Sequence, residues 1–160
     1  MKKGVVFEII RWLAVIILVA ALASFSDTDK ISNADFDKVC SSVVNEVDLS
    51  YMQEGSASTF KRLYSLDSSD YEEVKLYWPL SNMDADEILI IKLRDVSQQE
   101  EIKQAVENRL ETQKKSFDGY GVEQYALLTD NSILDIQGNY ILFIVSKDCV
   151  SAEKAFRNAL

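Results

Sequence analysis

The residues best suited to chemistry in this chain are carboxylates. Asp84, Asp86 and Glu87 sit together in NMDADE, and Asp67, Asp70, Glu72 and Glu73 make a second group. Clustered carboxylate oxygens attract hard cations such as calcium, but an EF-hand loop needs a D-x-D-x-D-G run and a distant Glu. Neither group has that pattern, so both read as acidic, solvent-exposed segments. Paired carboxylates also carry out acid–base hydrolysis when held about 5–9 Å apart across a groove, and nothing in the sequence selects one pair. The chain has no histidine, which removes the commonest general base and the usual zinc ligand. SAEK at 151–154 has S-x-x-K spacing without the motifs that accompany a serine–lysine enzyme, and reads as a helix start. DGYGVE has two glycines but no following lysine and no strand leading into it, so it is not a phosphate loop. The sequence therefore assigns no catalytic, cofactor-binding or metal-ligating residue.

Recognition is the chemistry that remains. In FDGYGVEQY, Phe117, Tyr120 and Tyr125 are close together beside Asp118. Tyrosine offers contact area and a hydrogen-bonding tip. Gln113 and Arg109, one and two turns back on the preceding helix, give such a surface a polar rim. The competing reading makes the same rings a plug at the end of the core, with Gly119 and Gly121 allowing a tight reversal. Cys40 and Cys149 likewise have two readings, a long-range disulfide outside the cell or two buried thiols.

The chain opens MKKGVVFEIIRWLAVIILVAALASFSD. Lys2, Lys3 and Arg11 precede a hydrophobic run and Asp27 and Asp29 follow it, an order that places the N-terminus inside and the rest outside. Val5 to Phe25 would form about 31 Å of helix, enough to span a bilayer core of about 30 Å. The shorter run from Trp12 to Ala23, with Ala21 and Ala23 in small-x-small spacing, suits a signal peptide cut after Ala23. We read residues 1–26 as a signal-anchor or signal peptide. Residues 27–160 then form a single extracytoplasmic domain, on the outer face of a single-pass membrane protein or secreted after cleavage. This part carries 14 basic and 25 acidic residues. Such an acidic balance disfavours nucleic acid and anionic lipid as partners.

The elements that must position these residues follow from periodicity. A helix is expected over Asn33 to Val47, with Phe36, Val39, Cys40, Val43, Val44 and Val47 on one stripe and Ser32 or Asn33 as cap. A weaker helix covers Ser58 to Leu66. YEEVKLYWP alternates with period two, placing Val74, Leu76 and Trp78 on one face, and EILIIKLR is apolar on both. A long helix follows over 97–117, with Ser97 and Glu100 as a capping box, then an irregular DGYGVEQYALLTD. ILDIQ and YILFIVS are strands joined at Gly138–Asn139, and a helix after Asp148 ends the chain. The second half is a degenerate ββα–ββα repeat. The fold class expected is α+β, with a four-stranded, mainly antiparallel sheet in the order 1-2-4-3. Its doubly apolar strands are central and its polar ones are edges. The two repeat helices are expected on one face and the Phe36 helix on the other.

YEEVKLYWP, ADEILIIKLRD, VENRLETQKKSFDGYGVEQYALL and GNYILFIVSKD together resemble the bacterial domain-of-unknown-function family numbered 4358, over about residues 31–160. The resemblance implies a small exported or membrane-associated protein of Clostridia-like bacteria. Many members look like lipoproteins, but the lipobox cysteine is missing here, so lipidation does not carry over. The resemblance supplies no catalytic residue, substrate or cofactor. The expectation for function is a non-catalytic binding or scaffold domain for an envelope protein or small ligand, its candidate recognition surface being Arg109, Gln113, Phe117, Asp118, Tyr120 and Tyr125. The alternatives are a small-ligand or cation sensor and a carboxylate-based envelope hydrolase.

Overall fold

A computed structural model describes residues 31–160. The expected leader, with its anchor and cleavage alternatives, lies outside them. No helix among the described residues is long and apolar enough to cross a membrane. The elements run α1 (Phe36–Val44), β1 (Met52–Glu54), α2 (Ala57–Tyr64), β2 (Glu73–Pro79), β3 (Glu87–Lys92), α3 (Gln99–Phe117), α4 (Val122–Asp130), β4 (Ser132–Gln137), β5 (Tyr140–Val145) and α5 (Cys149–Ala159). Short 3-10 turns at Ser68–Asp70 and Val96–Gln98 precede β2 and α3.

The strands form one antiparallel sheet in the order β1-β2-β3-β5-β4. The four strands with a sequence signal take the expected order. The expected count of four is corrected to five, because β1 pairs Met52, Gln53 and Glu54 with Pro79, Trp78 and Tyr77. Three residues are too few for alternation to register as a strand pattern. β1 also corrects the expectation that β2 is an edge, since it covers the Tyr77–Pro79 end, the Gly55 N–H that follows it donates to the Leu76 carbonyl, and Glu73 to Lys75 have no strand paired on that side. The doubly apolar strands are central as expected. All six residues of β5, and Glu87 to Ile91 of β3, are buried, because layers of helix cover both faces of the sheet.

One face carries Leu76, Leu89, Ile91, Ile141, Phe143 and Val145. It packs against Phe60 and Tyr64 of α2, Ile102, Val106 and Phe117 of α3, and Leu128 of α4. The other carries Ile88, Ile90, Tyr140, Leu142 and Ile144 against Phe36, Val39, Cys40 and Val43 of α1 and Cys149, Ala152 and Phe156 of α5. The two helices of the repeat therefore lie on opposite faces, not one. Their links differ. Six residues join β3 to α3, and Leu93 keeps the chain on the α3 side. Only Ser146, Lys147 and Asp148 join β5 to α5, and the Ser146 carbonyl accepts from the Cys149 N–H at the start of that helix.

Three helix ends differ from expectation. Asp35, not Ser32 or Asn33, caps α1 by accepting from the Lys38 N–H, and the helix ends at Val44. Ser32 instead exchanges hydrogen bonds with Asn139, at 2.7 and 3.1 Å, and donates its hydroxyl to the Leu160 carbonyl. The capping box is Asp95 with Gln98, two residues before the expected Ser97 and Glu100. The stretch expected to be irregular after α3 contains α4, which starts after Gly121 and buries only Leu128. One buried residue in nine leaves little apolar period to read.

Cys40 and Cys149 are both free and buried in the cluster between α1, α5 and the sheet, and burial pushes the Cys40 thiol up to about 12. Leu142 is fully buried in a central strand, whereas Val74 is only partly covered on the open length of β2. Leu142→Ala is expected to cost about 2–5 kcal/mol, and Val74→Ala distinctly less. Urea unfolding of the two variants checks this, and equal costs would contradict the strand order.

Candidate functional site

Glu87 is the first residue of β3 and is 0% exposed. It faces the helical layer of α2 and α3, as Leu89 and Ile91 do. The NMDADE segment is thus not wholly a solvated loop, which corrects the expectation for its last acid. A buried carboxylate must be matched by donors, because an unpaired charge in the interior costs several kcal/mol. Three side chains supply them. Tyr64, the last residue of α2, donates its hydroxyl to Glu87 Oε1. Arg109 of α3 donates from Nη2 at 2.7 Å and from Nε at 3.1 Å to Oε2. Gln113, one turn on, donates from Nε2 at 3.1 Å to the same oxygen. Arg109 and Gln113 stand four apart, so one face of α3 presents both. Burial pushes the Tyr64 hydroxyl well above its ordinary value, and Glu87 adds to the rise. Burial opposes the charge on Arg109, but Glu87 and then Tyr64 outweigh it, and its pKa is raised.

This cluster forms one wall of a cleft of about 320 Å³. Leu63 and Arg62 of α2, Trp78 and Pro79 of β2, Leu80 to Asn82 and Asp84 of the following loop, and Arg109, Gln113, Ser116 and Phe117 of α3 line it. The Arg62 guanidinium lies 5.0 Å from the centre of the Trp78 ring, a cation–π contact. Gln113 is 5% exposed, and its Oε1 has no hydrogen-bond partner among the described residues.

The six residues of the expected recognition surface separate. Arg109, Gln113 and Phe117 line the cleft, with the first two gripping Glu87 beneath it. Phe117 is buried, and a Cβ at Gly121 would come within 2.5 Å of its ring, so the turn there needs glycine. Asp118 is exposed, as are Tyr120 at 63% and Tyr125 at 40%. The plug is therefore Phe117 alone, and the tyrosines stand outside it. Sequence reasoning missed Tyr64, Glu87, Arg62 and Trp78. Trp78 read as an ordinary apolar position of its strand. For Glu87 a signal existed, since its position continues the alternation of Leu89 and Ile91.

A second cleft, of about 330 Å³, lies on the other side of the same loop and shares Asp84. Asp48, Asp86, Glu123, Asp148, Lys147 and Tyr51 are among its walls. Burial raises the Asp86 pKa, and Asp84 and Asp148 add to this while its backbone N–H and Lys147 oppose it. Among the described residues no group of three His, Cys, Asp or Glu side chains could hold a metal ion. The loop between the clefts is tied to α4, since the Ala85 N–H donates to Gln124 Oε1 at 2.9 Å.

These features define an α+β domain with a five-stranded antiparallel sheet between two helical layers and a polar cluster buried under one of them. Residues 45–146 match the family described as a domain of unknown function, DUF4358, and the chain belongs to that family. No curated protein and no solved structure matches it.

Arg109→Met would leave the Glu87 carboxylate buried with only Tyr64 and Gln113 to answer it. A loss of about 3–5 kcal/mol is expected, and the double variant with Glu87→Gln should lose less than the sum of the single losses. Denaturant titration of the four chains measures both. Strict additivity would show that the two side chains do not act as a pair.

Asp86 binds its proton more tightly in the folded chain than in the unfolded one. It therefore weakens the fold as pH rises from the ordinary aspartate value of 3.8 through its raised folded value. Asp86→Asn is expected to raise the Tm at pH 7 and to leave it unchanged well below pH 3.8. A lower Tm at pH 7 would mean that neighbouring groups hold the charged form in place.

Proposed function

We propose that this chain is a non-catalytic binding or scaffold domain, held at the outer face of the cell membrane by its N-terminal hydrophobic segment. The observation that carries the binding part is the loop region between β2 and β3 and the turn after α3. There the cleft of fixed side chains adjoins Leu80 and Met83, with Tyr120 and Val122 (63% and 77% exposed) following from α3 into α4. Tyr51, also exposed, is tied to the same loop by its carbonyl, which accepts from the Leu80 N–H. Exposed apolar residues gathered beside a cleft are a usual mark of an interaction site. Glu87 supports a non-catalytic role, because its two oxygens are occupied by Tyr64, Arg109 and Gln113 in a pre-set cluster. The charge order of the leader supports the location.

Fractionation of intact cells with external protease tests the reading. The protein is expected in the membrane fraction with its N-terminus intact, and the domain should be digested from outside. A mature start at Ser24 would overturn the anchor. A domain protected in intact cells but digested after lysis would overturn the extracytoplasmic placement. The double variant Tyr120→Ala, Tyr125→Ala should keep the wild-type Tm within about 3 °C, as surface substitutions do. A large drop would show that these rings serve the fold rather than a partner.

A further inference from the structure

We infer that the end of the sheet carrying the β2–β3 loop docks a basic, apolar segment of a protein partner, with a cationic side chain of that segment in the second cleft. This rests on the binding reading above and names its partner. The first observation is where the apolar surface gathers. Of the nine large apolar side chains exposed among the described residues, six stand here. They are Tyr51 before β1, Leu80 and Met83 in the β2–β3 loop, and Tyr120, Val122 and Tyr125 from the turn after α3 into α4. These segments are tied together. The Tyr51 carbonyl accepts from the Leu80 N–H at 2.9 Å, and Gln124 Oε1 accepts from the Ala85 N–H at 2.9 Å. Apolar residues gathered in this way mark a protein contact, and three segments of chain make a footprint suited to a polypeptide.

The second observation is charge, and it selects the partner. Asp48, Asp84, Asp86, Glu123 and Asp148 line the second cleft, and Lys147 is the one basic residue that lines it among the described residues. None of the five acids forms an ion pair among the described residues. Unneutralised acids beside apolar surface complement a partner that brings positive charge. They repel anionic lipid headgroups, and they repel a second copy, which would bring the same acids to a twofold contact. The third observation is where the chain leaves for its hydrophobic segment. Ser32 is held at the β4–β5 turn by hydrogen bonds of 2.7 and 3.1 Å exchanged with Asn139. Ser146, Lys147 and Asp148 of the cleft follow the far end of β5, a strand of six residues, or about 20 Å. Under the anchored reading the tether and the docking surface are therefore at opposite ends of the sheet, and the surface is turned away from the bilayer.

The full-length protein, captured by a C-terminal tag from nonionic detergent onto a sensor surface, tests this with acetylated and amidated peptides. Leu-Lys-Leu-Lys-Leu is expected to saturate below about 1 mM. Leu-Glu-Leu-Glu-Leu lacks the positive charge and Ser-Lys-Ser-Lys-Ser lacks the apolar side chains, so each should bind at least about tenfold more weakly, as should the small cation agmatine. Asp86→Asn with Glu123→Gln should weaken the first peptide by about tenfold or more. Glu100→Gln with Glu107→Gln removes the same charge from exposed residues of α3 that line neither cleft, and should leave binding unchanged. Met83→Ser should keep the Tm and weaken the first peptide at least about threefold. Absence of saturation by the first peptide, equal binding of all three peptides, binding of agmatine as tight as that of the first peptide, or equal loss in the two double variants would overturn the inference. Retention of untagged protein on the surface, abolished by Met83→Ser, would make a second copy the occupant and overturn it too. Saturation by Leu-Glu-Leu-Glu-Leu instead, lost in Met83→Ser, would overturn the basic partner and keep the binding reading, so the two failures are distinguishable. A domain found inside the cell would overturn the placement and leave these titrations standing.

Discussion

The rest of the structure is arranged around a carboxylate that water cannot reach. Glu87 opens a central strand, and its side chain points into the layer between sheet and helices. In that position a negative charge without partners would cost more than a typical core contact returns. Its answer comes from two different helices. α2 must end with Tyr64 over the strand, and α3 must cross so that Arg109 and Gln113 reach it together. Apolar packing alone would allow both helices to slide along the sheet. Directional bonds to one carboxylate do not, so Glu87 fixes the register of the helical layer on its strand.

The opposite layer uses a weaker form of the same device. Asp135 of β4 is buried and accepts from Arg157 of α5 at 2.8 Å, while Arg157 also reaches Glu153. Arg157 is itself largely exposed, so solvent screens this pair and it contributes less than the buried cluster. The region that matches the family runs from before β1 to just past β5. It contains the Glu87 cluster and its cleft, whereas α1 and α5, which cover the other face, flank the matched region. The matched part is therefore the sheet with the helical layer that carries the cleft.

Most of the sheet was legible because burial on two faces leaves an unbroken apolar run. EILIIK and YILFIV could only be central, with their flanking partners to either side of them. What was not legible follows from short or weak periods. β1 has three residues, and α4 buries one side chain. The faces taken by the repeat helices depended on the lengths of two links, which periodicity does not encode. The site was legible in part for a related reason. Arg109, Gln113 and Phe117 were found through their spacing on a long helix. Glu87 was passed over because a run of acids reads as surface, although its place in the alternation with Leu89 and Ile91 marked it as inward.

The cleft is a consequence of the way Glu87 is satisfied. A carboxamide presents a donor and an acceptor in one plane, so fixing the Gln113 donor on the carboxylate leaves its carbonyl committed to the other direction. An apolar residue at that position would have closed the wall without any such remainder, though Glu87 would then have lost a donor. On the neighbouring wall the Arg62 guanidinium lies over the Trp78 ring, 5.0 Å from its centre. Side chains on two walls of the cleft, Gln113 and Arg62, are thus engaged by contacts within the fold. Pre-organised groups of this kind lose little entropy when a ligand arrives. The same cluster that sets the register of α2 and α3 therefore also fixes Arg109 and Gln113 in the wall of the cleft.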